Sequence, residues 1–404
     1  MDLVQRQSWT AIMRQQISMA ALALAIVLVS GVIATRSAQA QTFAVLHNFT
    51  GTPDGSLPYA SLIRDKEGNL YGTTETGGAS NAGTVFKVDK SGTTTLLYSF
   101  SGGSDGANPF AGLLRDAAGN LYGTTANGGS SGVGTVFKLG KGKETVLHSF
   151  AGGTTDGCYP FGGLLRDTAG NFYGTTQVCG VSGVGTVFKL TKAGKETILH
   201  SFAGGSSDGE FPSFTNLLMD AKGNLLGVAE QGGTANLGVV YKLSKAHKIT
   251  ILHSFAGGAS DGCDIFGTPA VDADGNLYGT ANSCGSAGAG MIWKVNPKGK
   301  ETVLHNFVPG PSDGSEPVAG LILDSKGNLY GSTYQGGSAN LGTVYKLNKK
   351  GSITLLHTFT GPDGDYLYAG VLRDASGDLY GTTLYGGSGE ACTNGCGTVW
   401  QIKK

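Results

Sequence analysis

The tetrapeptide Tyr-Gly-Thr-Thr begins at Tyr71, Tyr122, Tyr173 and Tyr380, and variants of it begin at Leu226, Tyr278 and Tyr330. Successive starts lie 50 to 53 residues apart. Seven copies at one period admit few folds, because each repeat must bury its apolar faces against its neighbours. Propeller blades are four-stranded and number about four to eight, which fits both the period and the copy number. The 69 glycines among 404 residues would point to disorder if scattered. Here they recur at fixed places in the repeat.

The second repeat shows the strands. Phe110 to Arg115 is short and apolar, and the run 116–120 (Asp-Ala-Ala-Gly-Asn) is a hairpin turn with Gly at the left-handed position. Leu121 to Thr125 is the next strand. A Gly-rich loop leads to Gly134–Leu139, a turn at Lys141-Gly142-Lys143, and a last strand from Glu144 to Phe150. We name these strands A to D. Their apolar and β-branched content suits sheets covered on both faces. No segment after residue 40 has helical periodicity.

The chain ends support a closed ring. The seventh repeat stops at Gly397–Ile402, a C strand, so its D strand is missing. Phe43–Phe49 is a D strand with no blade before it. The expected fold is therefore all-β: a seven-bladed β-propeller with four antiparallel strands per blade. The N-terminal strand closes it by pairing with the C-terminal blade, which removes exposed sheet edges. Before it, Arg6 and Arg14 precede an apolar run from Ile17 to Ala34 and then Ser37-Ala38-Gln39-Ala40, the pattern of a cleavable signal peptide. The expected organisation is a signal peptide over 1–40 and one propeller domain over 41–404. An uncleaved signal anchor is the alternative.

The repeat D-x-x-G-N-L-Y-G-T-T-x-x-G-G, followed by G-T-V-F-K-L and T-V-L-H-S-F, resembles the GloVer tandem repeat of bacterial "choice-of-anchor" surface proteins. The resemblance covers residues 43 to 402. It implies an exported bacterial protein and carries no activity.

Cys158 and Cys179 lie 21 residues apart, as do Cys263 and Cys284. Both pairs hold one register, in the D–A loop and the B–C loop, which share a face of an up-and-down blade. Cys392 and Cys396 form a third pair in the last B–C loop. The register predicts these three disulfides, consistent with an oxidising compartment. A zinc site lacks the Cys-x-x-Cys spacing.

Four residue sets carry candidate chemistry. His47, His148, His200, His253, His305 and His357 share one D-strand position, and Tyr98 takes it in the first repeat. A catalytic His would be singular, so no catalytic residue is expected and these read as interblade packing. The seventh, His247, lies in a C–D turn. The run 102–106 (Gly-Gly-Ser-Asp-Gly) matches a nucleophile elbow by chance, without the strand-to-helix turn such an elbow needs. Asp65, Asp116, Asp167, Asp220, Asp272, Asp324 and Asp374 cap their own A–B turns. The run from Asp272 to Gly275 lacks the later ligands of a calcium loop.

The binding candidates form two groups. Asp54, Asp105, Asp156, Asp208, Asp261, Asp313 and Asp363 each precede a Gly in the D–A loop, and would ring a mouth able to attract a cation such as calcium or sugar hydroxyls. Glu75, Asn127, Gln177, Glu230, Gln231, Asn282, Tyr334, Gln335 and Tyr385 follow the motif and vary between repeats, as a site grafted on a uniform scaffold does. The competing reading is that these loops vary because nothing constrains them. No metal site is expected, and no cofactor beyond calcium.

Twenty-nine basic and 29 acidic side chains cancel, which argues against a nucleic-acid binder. The expected product is a secreted, periplasmic or cell-surface monomer with no membrane span after cleavage. Its leading role is a non-enzymatic binding module for a glycan, peptide or envelope component. The alternatives are a polysaccharide or lactone lyase or hydrolase using acidic residues at the mouth, and a structural adhesion protein. Fold alone does not decide among them.

Overall fold

In a computed structural model, which describes residues 41–389 and 392–404, each repeat forms one four-stranded antiparallel sheet. Blade two has A at Leu114–Arg115, B at Leu121–Thr125, C at Thr135–Gly140 and D at Lys143–Ser149. The seven sheets run A, B, C, D outward from a central channel that the A segments line. The seventh combines Leu372–Arg373, Leu379–Thr383 and Thr398–Lys403 with the N-terminal strand Thr42–Asn48, so the ring closes as the repeat register requires. The leader expected over 1–40 lies outside the described residues.

Each motif residue has a mechanical role. The Tyr71 hydroxyl donates to Asp65 of the A–B turn at 2.9 Å, and the same bond recurs in five other copies. Gly72 leaves room for the Phe86 ring, whose Cζ would stand 2.6 Å from an added Cβ. The third residue reaches into the next blade. Thr73, Thr124, Thr280 and Ser332 donate to the carbonyls of Ala111, Gly162, Ala319 and Ala369 at 2.9–3.1 Å. Thr74 bonds Thr84 of strand C at 2.7 Å. Blade four keeps only the glycine. Its Leu226, Val228 and Ala229 are buried instead.

Those interblade bonds explain a difference from expectation. Strand A of blade two was expected over Phe110–Arg115, yet its ladder covers only Leu114–Arg115. The Ala111 carbonyl belongs to the preceding blade, so this part of the A segment joins two sheets. Blade five is the exception, with one strand from Gly262 to Val271.

The core lies between blades. At every seam a D-strand phenylalanine meets the C-strand aromatic of the next blade. Phe100 and Phe137 stand 5.2 Å apart at 72°, and Phe202 and Tyr241 repeat that geometry. Phe49, from the N-terminal strand, meets Phe86 of blade one at 5.0 Å. All seven of these phenylalanines are fully buried.

The three disulfides form in the expected pairing, with Cα–Cα distances of 5.4, 5.6 and 5.3 Å. The D–A loop pairs with the B–C loop beside them, Gly157 opposite Cys179 and Cys158 opposite Val178. Each of the two 21-residue loops contributes on the order of 3 kcal/mol by restricting the unfolded chain. Reduction should therefore lower the melting temperature, and an unchanged melt with fully reduced thiols would contradict this role. Phe49→Ala should cost about 3–5 kcal/mol in a denaturant titration, because it opens a cavity at the seam that closes the ring.

Candidate functional site

The D–A and B–C loops of all blades emerge on one face, held together by short pairings such as Ser56–Thr76, Ala107–Asn127, Gly209–Gly232 and Asp365–Tyr385. On this face the chain approaches the axis in an extended run, so every second residue points inward. Three inward layers result.

The middle layer closes the channel. It holds the residue twelve positions before each motif: Tyr59, Phe110, Phe161, Phe214, Phe266, Val318 and Tyr368. Tyr59 meets Phe110 at 5.0 Å and Tyr368 at 5.2 Å, Phe110 meets Phe161 at 4.9 Å, and Phe161 meets Phe214 at 4.9 Å. Phe214 crosses to Tyr368 at 5.5 Å. Two residues further on lies a layer of small side chains, among them Ser61, Gly112, Gly163 and Gly320. Together with the plug they enclose a cavity of about 220 Å³ whose lining contains no acidic or basic side chain.

The outer layer precedes the plug by two residues, or by three in blade four, where Phe211 precedes Phe214. It consists of Leu57, Asn108, Tyr159, Phe211, Asp264, Glu316 and Tyr366, all left-handed with φ of 53–58°. Non-glycine residues adopt this conformation rarely, and it persists only where surroundings enforce it. Here the backbone enforces it. The Tyr366 amide donates to Leu341 of the preceding blade at 2.9 Å, and its carbonyl accepts from Leu384 of its own B–C loop at 3.1 Å. Asn108 is held the same way, between Ala82 and Ala126. With both backbone groups engaged, the side chain is turned to the mouth. Sequence reasoning missed both rings. The signal was present as an offset from the motif that is fixed for the plug and, in all blades but the fourth, for the left-handed ring, with Pro after five of the seven left-handed residues.

The variable residues divide into two registers. Glu75, Gln177, Glu230, Asn282 and Tyr334 stand four positions after the motif start, and Asn127, Gln231, Gln335 and Tyr385 stand five after. The structure brings Glu75, Tyr334 and Tyr385 around Tyr59, and Glu230 beside Tyr368, close enough for their charges to act on those phenols. Tyr334 stacks on Tyr366 at 4.7 Å, and Tyr385 meets Tyr366 edge-on at 6.1 Å. Asn127 donates to Asn108 at 3.1 Å. Gln231 pairs with Glu210 of the D–A loop in a short ladder, and Gln335 accepts from Asn340 of its own loop at 3.2 Å. Gln177 is half-buried, and the Asn282 Oδ1 is buried with no protein partner among the described residues.

Burial sets the electrostatics of the mouth. It pushes the Glu75 carboxyl up to about 7. Burial, and then the Asp363 charge, lift Asp365 to about 6, and one Asp365 oxygen is buried without a protein partner. Burial also raises Glu316, and burial followed by Asp264 raises Glu230.

The D–A aspartates do not gather at this mouth. Asp54, Asp156, Asp208, Asp261, Asp313 and Asp363 each pair with the D-strand histidine before them at 2.7–3.3 Å, and Asp105 pairs with Tyr98 at 3.0 Å. Strand D is outermost, so this ring sits at the periphery and pins each D–A loop to its blade. Burial opposes ionisation of Asp54, but hydrogen bonds from His47 and Thr50 hold its carboxyl below the usual range. His253, Asp261 and Glu301 bring their ligand atoms within 4.8 Å of one another at one seam. Asp272 is spent on its own turn, accepting from Asp274, Asn276 and Tyr278. His247 is exposed.

The raised Glu75 carboxyl gives a pH prediction. The folded chain keeps its proton up to about pH 7, and the unfolded chain releases it near 4.5. Between these values unfolding releases a proton, so this group's contribution to stability falls as pH rises. Glu75→Gln should melt higher than the parent at pH 8, and the gap should close below the unfolded value. An equal gap at both pH values would refute the buried carboxyl.

The fold is similar to the extracellular domain of the one-component system BT4673 of B. thetaiotaomicron, with a TM-score of 0.51 and 9% identity. That match covers 87% of this chain and 39% of the other. It is also similar to XC5397 of Xanthomonas campestris, a gluconolactonase, with a TM-score of 0.43 and 13% identity over 90% of this chain and 89% of that one. At such identities the likeness concerns fold alone. No curated protein matches the sequence. The Gloeobacter/Verrucomicrobia repeat profile matches residues 27–217 and 213–404, which span all seven blades, and the chain belongs to that family.

Proposed function

We propose that this protein is a non-enzymatic binding module whose mouth takes a neutral or amine-bearing glycan. The observation that carries this reading is an aromatic floor under a rim of half-buried amides and carboxyls. Tyr334, Tyr366 and Tyr385 offer ring faces and edges to the C–H surface of a sugar. Gln177, Glu75 and Glu230 offer bonds to hydroxyl or amino groups. Asn282 and Asp365 each hold a buried oxygen that lacks a protein partner, and such atoms ordinarily find one. Neither Lys nor Arg occurs in any D–A or B–C loop, which disfavours a uronic acid. Three disulfides on or beside this face support export to an oxidising compartment.

Calorimetric titration with neutral, amine-bearing and uronic-acid oligosaccharides tests the reading. Neutral or amine-bearing sugars should bind, and Tyr334→Ala should weaken them about tenfold or more. Equal binding of the uronic acids, or binding of basic peptides with no sugar bound, would overturn it.

One observation favours a second reading, a hydrolase or lyase on polysaccharide or lactone. A Glu75 carboxyl lifted to about 7 has the acidity of a general acid at neutral pH. Against it, the channel cavity is lined without a carboxylate. Release of reducing ends from the same oligosaccharides, lost in Glu75→Gln, would move the assignment to catalysis.

A further inference from the structure

The formal charge of zero is the sum of two unlike faces. Arg6, Arg14 and Arg36 lie outside the described residues. Every other Lys and Arg lies in strand A or C, at the C-terminal Lys403-Lys404, in the A–B and C–D turns, or, for Lys143, at the strand D residue that adjoins its turn. None lies in a D–A or B–C loop, whose titrating side chains are carboxyls and tyrosines. The mouth face is therefore acidic, and the opposite face carries the basic residues.

The basic face is also free to act. Fourteen lysines of its turns are exposed, two or three on each of blades one to six, for example Lys141 and Lys143, Lys298 and Lys300, and Lys349 and Lys350. None of the fourteen forms an ion pair among the described residues. The exposed acids in these turns are Glu67 and Asp274. The seven A–B aspartates offset part of this charge without closing on the lysines as ion pairs. Each carboxylate accepts the amides of its own turn, as Asp116 does from Ala118 and Asn120. The lysines stand at hairpin tips, spread around the disc, with no single track for a linear polymer.

Chain direction adds an independent observation. The N-terminal strand runs antiparallel to Thr398–Lys403, and its inner end, Phe49, bonds Gly397 at the mouth-face end. Its other end, Phe43, therefore enters the disc at the basic face, as do Lys403 and Lys404.

We propose that the lysine-rich face docks on an anionic lipid bilayer, leaving the acidic, aromatic mouth directed away from it. A planar surface presents headgroups to all six lysine-bearing blades at once. Each lysine near such a surface strengthens binding by roughly fivefold, and the effect is screened by salt.

The test uses the full chain and co-sedimentation with vesicles of phosphatidylglycerol and phosphatidylcholine in equal parts, set against pure phosphatidylcholine. Any charge-independent adsorption is common to both, so the difference between them reports the face. The expected result is stronger binding to the anionic vesicles at about 0.1 M salt, with the difference lost at about 1 M. Replacing Lys298, Lys300, Lys349 and Lys350 by Gln should reduce the difference by roughly several hundredfold. These side chains are exposed, so the melting temperature should not move, and Glu in the same four places should remove the difference altogether. Equal binding to both vesicles, or a difference that survives the Gln variant, would overturn the proposal. So would heparin holding the chain more tightly than the vesicles at equal charge, because the partner would then be a polyanionic glycan.

Discussion

Seven edge-to-face and tilted aromatic contacts hold this ring, one at each seam between blades. The D-strand phenylalanine of one blade meets Phe86, Phe137, Phe188, Tyr241, Trp293, Tyr345 or Trp400 of the next, with centroids 5.0–6.0 Å apart. A single four-stranded blade leaves both of its faces apolar, and it is stable only between two others. The core is accordingly seven clusters that each straddle a seam, such as the one joining Tyr71, Val85 and Phe100 to Leu113, Leu121 and Phe137. Without the last seam, where Phe49 meets Phe86, two faces would stand open.

The seam also dictates the mouth. The glycine opening each C strand lies against the residue that follows the left-handed ring of the next blade. At Gly134 an added Cβ would stand 2.6 Å from Pro160, and φ is 110°. That close approach, with the hydrogen bond that the left-handed residue's amide donates to the preceding blade, sets where every mouth side chain begins. The scaffold is uniform, and the side chains it presents are not. Leu57, Asn108, Tyr159, Phe211, Asp264, Glu316 and Tyr366 share one backbone geometry and almost no chemistry.

Much of this was legible in the repeat. Blade number, strand order, ring closure and the disulfide pairing follow from register, because a fixed offset from the motif is a fixed place in a blade. The A–B aspartates and the D-strand histidines were read as structural, and both are hydrogen-bonded within the scaffold. The mouth was legible only in part. Alternation within the segment from Leu57 to Ser61 was hidden because that segment hardly joins a ladder, so it lacks an ordinary strand signature. The D–A aspartates pointed to the mouth by position, yet their histidine partners draw them to the rim. Net charge also concealed a pattern, since a sum does not record on which turns the charges fall.

The sequence alone determined seven blades, their closure, and the residues that every blade repeats, because those follow from periodicity and from apolar faces that need neighbours. Tertiary structure decided which of the non-repeated residues meet. Glu75 of blade one, Glu230 of blade four and Tyr334 of blade six are far apart in the chain and come together only because the ring brings every B–C loop to one axis. Their burial, and the raised pKa values it causes, depend on the aromatic plug beneath them and on the curvature of the closed ring, which no local pattern records.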